Sequence, residues 1–197
     1  MDLFLIRHGQ SLANAAGKLI ADQHDGLSKL GISQSQQLAE TLAEMKHTPS
    51  LIFSSPWARA RETAEHIYSK SIEINLDARL AETNPGRFGT WLEVDFNKQF
   101  PEFNQNITNR YDEGESHLDM ATRVCNWVDE EVIPRASLPG LISVVAHGGP
   151  ISIILQYLLD IPINTRYPSF SVPNASFSIL KWRSDLNRYC LISAGHT

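Results

Sequence analysis

Three short polar clusters hold the side chains best suited to chemistry: Arg7-His8-Gly9, the run 54–59 that ends in Arg59, and His147-Gly148-Gly149. Arginine is a planar fork that binds phosphate oxygens two at a time and keeps its charge. Neutral imidazole is a competent nucleophile. Glycine turns and helix N-termini offer backbone N–H groups to an anion. Phosphoryl transfer demands positioning and neutralisation of oxygen charge, and this inventory provides both. The expected chemistry therefore needs neither a metal nor a cofactor.

Residues so far apart meet only if the elements preceding them are aligned. Each cluster follows a short apolar run without alternation, the pattern of a buried strand: 3–6, 51–53 and Leu141–Ala146. A weaker strand is expected at 72–76, and a closing pair at 176–182 and 189–194. Ser28 caps a helix through Met45, with Leu38, Leu42 and Met45 on one face. Ser55-Pro56 starts another, to about Ser69, since proline suits a first helical position. Ser116-x-x-Asp119 reads as a capping box before Leu118, Ala121, Cys125, Val128 and Val132, and that helix stops at Pro134. Gly149-Pro150 opens a last helix to about Leu159. Alternating strands and helices predict an α/β fold: a three-layer α/β/α sandwich with a mostly parallel central sheet. In such sheets ligands bind beyond the carboxyl ends of the strands, where all three clusters fall. Residues 84–115 break the rhythm with Phe88, Trp91, Phe96, Phe100, Phe103 and Tyr111 and show no clean period. They read as a substrate-lid insertion in a single domain, 1–197.

The motifs, in order, resemble those of the histidine phosphatase superfamily, which includes the cofactor-dependent phosphoglycerate mutases. Leu5-Ile6-Arg7-His8-Gly9-Gln10-Ser11-x-x-Asn14 is similar to its signature, and Ser54-Ser55-Pro56-Trp57-Ala58-Arg59-Ala60-x-x-Thr63 to its second motif. Leu80-Ala81-Glu82, with Asn84 and Gly86, resembles the proton-donor segment. Gly114-Glu115-Ser116 resembles the turn before the helix containing Arg123, and Val145-Ala146-His147-Gly148-Gly149 the last motif. The resemblance implies a phosphoglycerate mutase-like fold and a metal-independent phosphatase. His8 would attack phosphorus and become phosphohistidine. Arg7, Arg59 and His147 would bind the transferred group, with Asn14, Ser11, Gly9 and Gly148 contributing to substrate binding. Glu82 would protonate the leaving oxygen and then deprotonate water. A carboxyl group facing a phosphate dianion in a closed pocket keeps its proton closer to neutrality, as that role requires. The sequence departs from the pattern at Gln10 and Ser11, where many relatives carry glutamate and threonine, and at Phe88-Gly89-Thr90, which leaves Glu93 as a rival donor. It also lacks the longer phosphoglycerate-binding insertions of the mutases, which favours hydrolysis of a small-molecule phosphate ester over mutase-type phosphoryl transfer. A catalytically idle phosphate-binding scaffold is the rival from another class; it has no need of His8.

Composition narrows the classes further. The chain has 197 residues and a net charge of −5, so no global basic field draws it to nucleic acid or an anionic membrane. Gly86-Arg87-Phe88-Gly89 matches a nucleic-acid GxxG loop only superficially. Cys125 and Cys190 fit no metal spacing or disulfide framework. His24-Asp25 lacks a partner at ligand spacing. The Gly148-Gly149 pair resembles the oxyanion glycines of lipases, but the Gly-x-Ser-x-Gly elbow they require is missing. Arg59 and Arg61, two apart, cannot share a helix face, and the motif selects Arg59. No signal peptide or membrane-length apolar run is seen, so a cytoplasmic setting is expected. Specificity is expected from 84–115 and the loop 164–174, where Arg87, Arg110, Arg166 and Tyr167 are candidates.

Overall fold

The computed structural model describes residues 1–68, 73–163 and 167–197. The strands are β1 (Asp2–Arg7), β2 (Leu51–Ser54), β3 (Asn75–Leu76), β4 (Leu141–Ala146), β5 (Phe177–Arg183) and β6 (Arg188–His196). The helices are α1 (Leu12–Ala15), α2 (Lys29–Glu44), α3 (Ala58–Ile67), α4 (Glu93–Gln99), α5 (His117–Trp127) and α6 (Gly148–Leu158). All six strands join one sheet in the order β3-β2-β4-β1-β5-β6. The first four run parallel, while β5 and β6 are antiparallel.

Strand alternation divides the core. Leu3, Leu5, Ile142 and Val144 face α5 and α6, meeting Met120, Val124, Trp127, Ile151 and Ile154. Phe4, Ile6, Ile52 and Val145 point the other way, against Leu38 and Leu42 of α2 and Ala60 and Ala64 of α3. Both faces of β1 and β4 are covered, which is why these strands read as unbroken apolar runs. The result is the expected three-layer α/β/α sandwich. Register matters most for function. Arg7 pairs with Ala146, and Ser54 with Val145, so β1, β2 and β4 release their chains at one level. Two ladder bonds continue past the strands, His8 N to Ala146 O and Ser55 N to Val145 O, both 3.0 Å.

Local differences from the sequence reading have identifiable causes. Helix α3 starts at Ala58, behind Trp57, because the Ser55 hydroxyl accepts from Trp57 N and faces His147. Its expected end at Ser69, and the expected start of the third strand at Ile72, lie outside the described residues. Met45 and Leu118 are exposed; the buried stripe of α5 is Met120, Ala121, Val124 and Trp127, continuing to Val128. Pro134 does not end that helix abruptly. The chain loosens into a π turn, Val128–Val132, and a 3-10 turn, Ile133–Arg135, as expected around a residue with no N–H to donate. Two short helices went unread. Helix α1 is four residues held by the Ser11–Asn14 capping box. Helix α4 lies within 84–115, where Phe88, Phe96 and Tyr111 build a small core of their own with Trp91, Phe100 and Phe103. Neither helix is long enough to imprint a period. Among the described residues, no helix is long and apolar enough to cross a membrane.

After α2 the chain turns through Lys46, at φ 55°, and tucks His47 against Phe4, ring centroids 4.3 Å apart. The imidazole Nε2 meets Tyr68 Oη at 3.2 Å, and Nδ1 is buried without a partner. Burial pulls its pKa from 6.5 to about 4. The unfolded chain therefore binds a proton first as pH falls, and folding stability declines between about 6.5 and about 4. Urea unfolding of His47→Phe at pH 7 and pH 5 is expected to show a smaller acid-induced drop in midpoint than wild type; an equal drop would show that His47 does not contribute.

Candidate active site

The site forms where β1, β4 and β2 end side by side. His8 is the first residue past β1 and only 2% exposed. Its Nδ1 lies 2.7 Å from Gly9 O, while Arg59 Nε donates to Nε2 at 3.2 Å. Both bonds demand one tautomer, with the proton on Nδ1 and the lone pair on Nε2. Burial, reinforced by Arg59 and Arg7, holds the ring neutral, its pKa well below 6.5. His147 lies edge-on, its ring centroid 5.0 Å from that of His8. It is likewise held neutral by burial and then by Arg59. Its Nε2 meets Ser55 Oγ at 2.8 Å, and its Nδ1 is buried without a partner.

The two guanidinium groups come from different layers. Arg7 ends β1; its Nη1 donates to Val172 O, and its Nε is buried without a partner. Arg59 is the second residue of α3, 2% exposed, while Arg61 faces solvent and pairs with Glu65. Arg59 Nη1 donates to Asp22 O at 3.1 Å and stands 3.7 Å from Asp25 Oδ2. Its guanidinium also lies over the Trp57 ring, 4.7 Å from the centroid. Burial lowers both arginine pKa values, with the charge of Glu82 opposing.

The remaining expected residues divide into those facing the site and those supporting it. Gly9 N donates to Thr63 Oγ1 at 3.1 Å, and Thr63 in turn donates to Arg59 O, tying the His8-Gly9 loop to α3. A side chain at Gly9 would strike the Gly31 carbonyl, so the position requires glycine. Ser11 is fully buried and its hydroxyl caps α1, accepting from Asn14 N; its work is to hold Asn14. Asn14 Oδ1 accepts from Ser11 N and from Asn174 Nδ2, both at 3.2 Å. Gly148 opens α6 with the Arg7 guanidinium alongside: a Cβ there would come 3.7 Å from Arg7 Cζ.

Glu82 stands over the N-terminus of α6. Its Oε2 accepts from Gly149 N at 3.1 Å, and its Oε1 from Thr83 N at 2.9 Å. It forms the wall between two cavities. One, of 470 Å3, includes Arg7, Asn14, Gly148, Gly149, His117 and Tyr167; the other, of 740 Å3, includes Gln23, Trp57, Arg87 and Arg123. Glu93 sits on exposed α4 at the rim of the smaller cavity and has no contact with α6 comparable to that of Glu82. Glu115, at the turn before α5, is engaged by Arg123, which also donates to the carbonyls of Arg79, Ala81 and Glu82. Arg123 thus grips the backbone that presents Glu82. Arg87 pairs with Asp112 and Arg110 with Asp119 at the surface; Arg166 lies outside the described residues.

Asn174 escaped the sequence reading. Its Nδ2 donates to His8 O at 3.1 Å as well as to Asn14, so one amide fixes both the His8-Gly9 loop and α1. Nothing in its flanking sequence marks it, because its partners lie more than 150 positions away. Among the described residues, no group of three or more His, Cys, Asp or Glu side chains is arranged to hold a metal ion.

The model of the histidine phosphatase superfamily (branch 1) matches residues 3–193. The glucosyl-3-phosphoglycerate phosphatase of Mycolicibacterium vanbaalenii is 31% identical over 210 residues, covering 93% of this chain and 92% of the relative. A probable phosphoglycerate mutase, GpmB of Erwinia tasmaniensis, is 27% identical over 83% of this chain and 77% of its own. A solved mycobacterial glucosyl-3-phosphoglycerate phosphatase in complex with VO3 superposes with a TM-score of 0.84 at 29% identity, over 100% of this chain and 99% of that one. With motifs, fold and site geometry in agreement, the chain belongs to the histidine phosphatase superfamily, branch 1.

Proposed function

We propose that this protein is a phosphoric monoester hydrolase that acts on a small-molecule phosphate ester through a phosphohistidine on His8. The observation that carries the reading is the state of His8: buried, neutral and fixed in the tautomer that directs the Nε2 lone pair toward Arg59. A phosphoryl oxygen would take over the Arg59 Nε–H donor and free that lone pair for attack. Arg7 Nε and His147 Nδ1, buried without partners, supply further contacts suited to the same anion. Asn14 and the N-terminus of α6 at Gly148 complete the cradle.

In the first half-reaction Nε2 bonds to phosphorus, the bridging P–O bond breaks, and its electron pair leaves on the ester oxygen. Glu82 provides the proton that this oxygen takes up. In the second, water attacks phosphorus, the N–P bond returns its electrons to His8, and Glu82 recovers a proton from the water. We assign Glu82 rather than Glu93 because Glu82 is bound to the α6 N-terminus beside the arginines. Segment 84–115 serves as the lid over the substrate, since it provides walls of both cavities. Hydrolysis is favoured over mutase transfer by the relatives named as phosphatases, 28% and 31% identical against 26% for a phosphoglycerate mutase that aligns over as much of the chain. Free Cys125 and Cys190 fit a reducing cytoplasm.

Phosphate release from p-nitrophenyl phosphate in excess chelator tests the core of this reading. Wild type is expected to turn over and to carry acid-labile phosphate, and His8→Ala is expected to lose about a thousandfold or more in kcat and all labelling. Turnover surviving in His8→Ala would move the nucleophile elsewhere. A second test uses Gly149→Ala. The added methyl would occupy the space of Glu82 Oε1 and Tyr167 Oη, so these side-chain ends would have to give way. Activity is expected to fall by about a hundredfold, the cost of a small misplacement, with little change in thermal midpoint. Unchanged activity would remove Glu82 from the chemistry.

A further inference from the structure

Tyr167 has no place in the steps above, yet its hydroxyl stands beside them. Glu82 Oε1 and Tyr167 Oη crowd the same point over the Gly149 Cα, each within reach of a methyl group placed there. Both residues line the 470 Å3 cavity with Arg7 and Asn14. Burial, followed by the charge of Glu82, raises the tyrosine well above its ordinary pKa of 10, so the group remains an O–H donor.

Its position is enforced from several directions. The ring stacks on His117 at 3.8 Å between centroids, with 22° between planes. His117 is itself pinned, with Nδ1 at 3.0 Å from Thr83 Oγ1 and Nε2 at 3.2 Å from Asn104 Oδ1. Tyr167 N donates to Asn104 O at 3.1 Å. Downstream, Phe170 N donates to Ser152 Oγ and Ser169 Oγ to Gln156 Oε1, fastening the loop to α6. Thr83 follows Glu82 in the chain. The acid and the phenol are thus carried on one hydrogen-bonded unit.

From this juxtaposition we infer that Tyr167 is a second leaving-group residue, donating a hydrogen bond to the bridging ester oxygen while Glu82 delivers the proton. The inference rests on the proposed phosphohistidine mechanism. The tyrosine keeps its own proton throughout. Its bond strengthens as negative charge gathers on the departing oxygen, so it contributes most where that oxygen is most basic.

Phenyl phosphate and p-nitrophenyl phosphate have nearly the same shape but very different leaving oxygens, which makes them the probes. In Tyr167→Phe, kcat/KM is expected to fall about tenfold or more on phenyl phosphate and less than about threefold on p-nitrophenyl phosphate. The ratio of the two values from one preparation does not depend on how much of the variant is folded. Glu82→Gln provides the reference and is expected to show the same bias more steeply. An equal loss on both esters in Tyr167→Phe, or no loss, overturns the role of Tyr167 while leaving that of Glu82 intact. If Glu82→Gln also shows no bias, the assignment of Glu82 as donor fails, and the proposal for Tyr167 fails with it.

Discussion

Two guanidinium groups and two neutral imidazoles are packed together at the end of the sheet. Bringing positive charge out of water is costly unless it is paired or bonded. Arg7 is bonded to Val172 O, and Arg59 to Asp22 O near Asp25, but each is only partly compensated. Burial first, and then this surplus charge, holds His8 and His147 in their neutral forms, and the charge makes the place receptive to an anion. Much of the surrounding architecture can be understood as what keeps these groups together. Thr63 joins the His8-Gly9 loop to α3, Asn174 joins it to the C-terminal loop, and Ser55 orients His147.

A second constraint acts on the carboxyl group of Glu82. Glu82 lies in a segment with little regular structure, between a 3-10 turn ending at Leu80 and another starting at Gly86. Such a segment would not fix a carboxylate to within the tolerance that catalysis needs. Arg123 supplies the rigidity from α5, binding three successive parts of that backbone through the carbonyls of Arg79, Ala81 and Glu82 while Glu115 balances its charge. Replacing the guanidinium fork by a lysine would keep the charge and lose this geometry. The Gly149 N–H then sets the carboxylate against the N-terminus of α6, the same helix that begins one residue after His147.

The sequence by itself determined the sheet strands, the capping box at Ser116 and the cap at Ser28, and the convergence of Arg7, His8, Arg59 and His147. These rest on local signals: apolar runs of strand length, capping residues at fixed spacing, and polar motifs placed directly after strands. The tertiary structure alone decided which side chains became supports. Ser11 reads as a substrate contact and its hydroxyl also caps α1, while Ser55-Pro56 reads as a helix start but Ser55 serves His147 instead. Helix α4 and its aromatic core could not be read, because seven residues carry too little period and Phe88, Phe96 and Tyr111 find one another only across a fold-back. Asn174, the grip of Arg123 on the backbone around Glu82, and the stack of Tyr167 on His117 were hidden for the same reason. Their roles are defined by partners distant in the chain, and hydrogen bonds or ring contacts of that kind leave no spacing to detect until the sheet has brought their ends together.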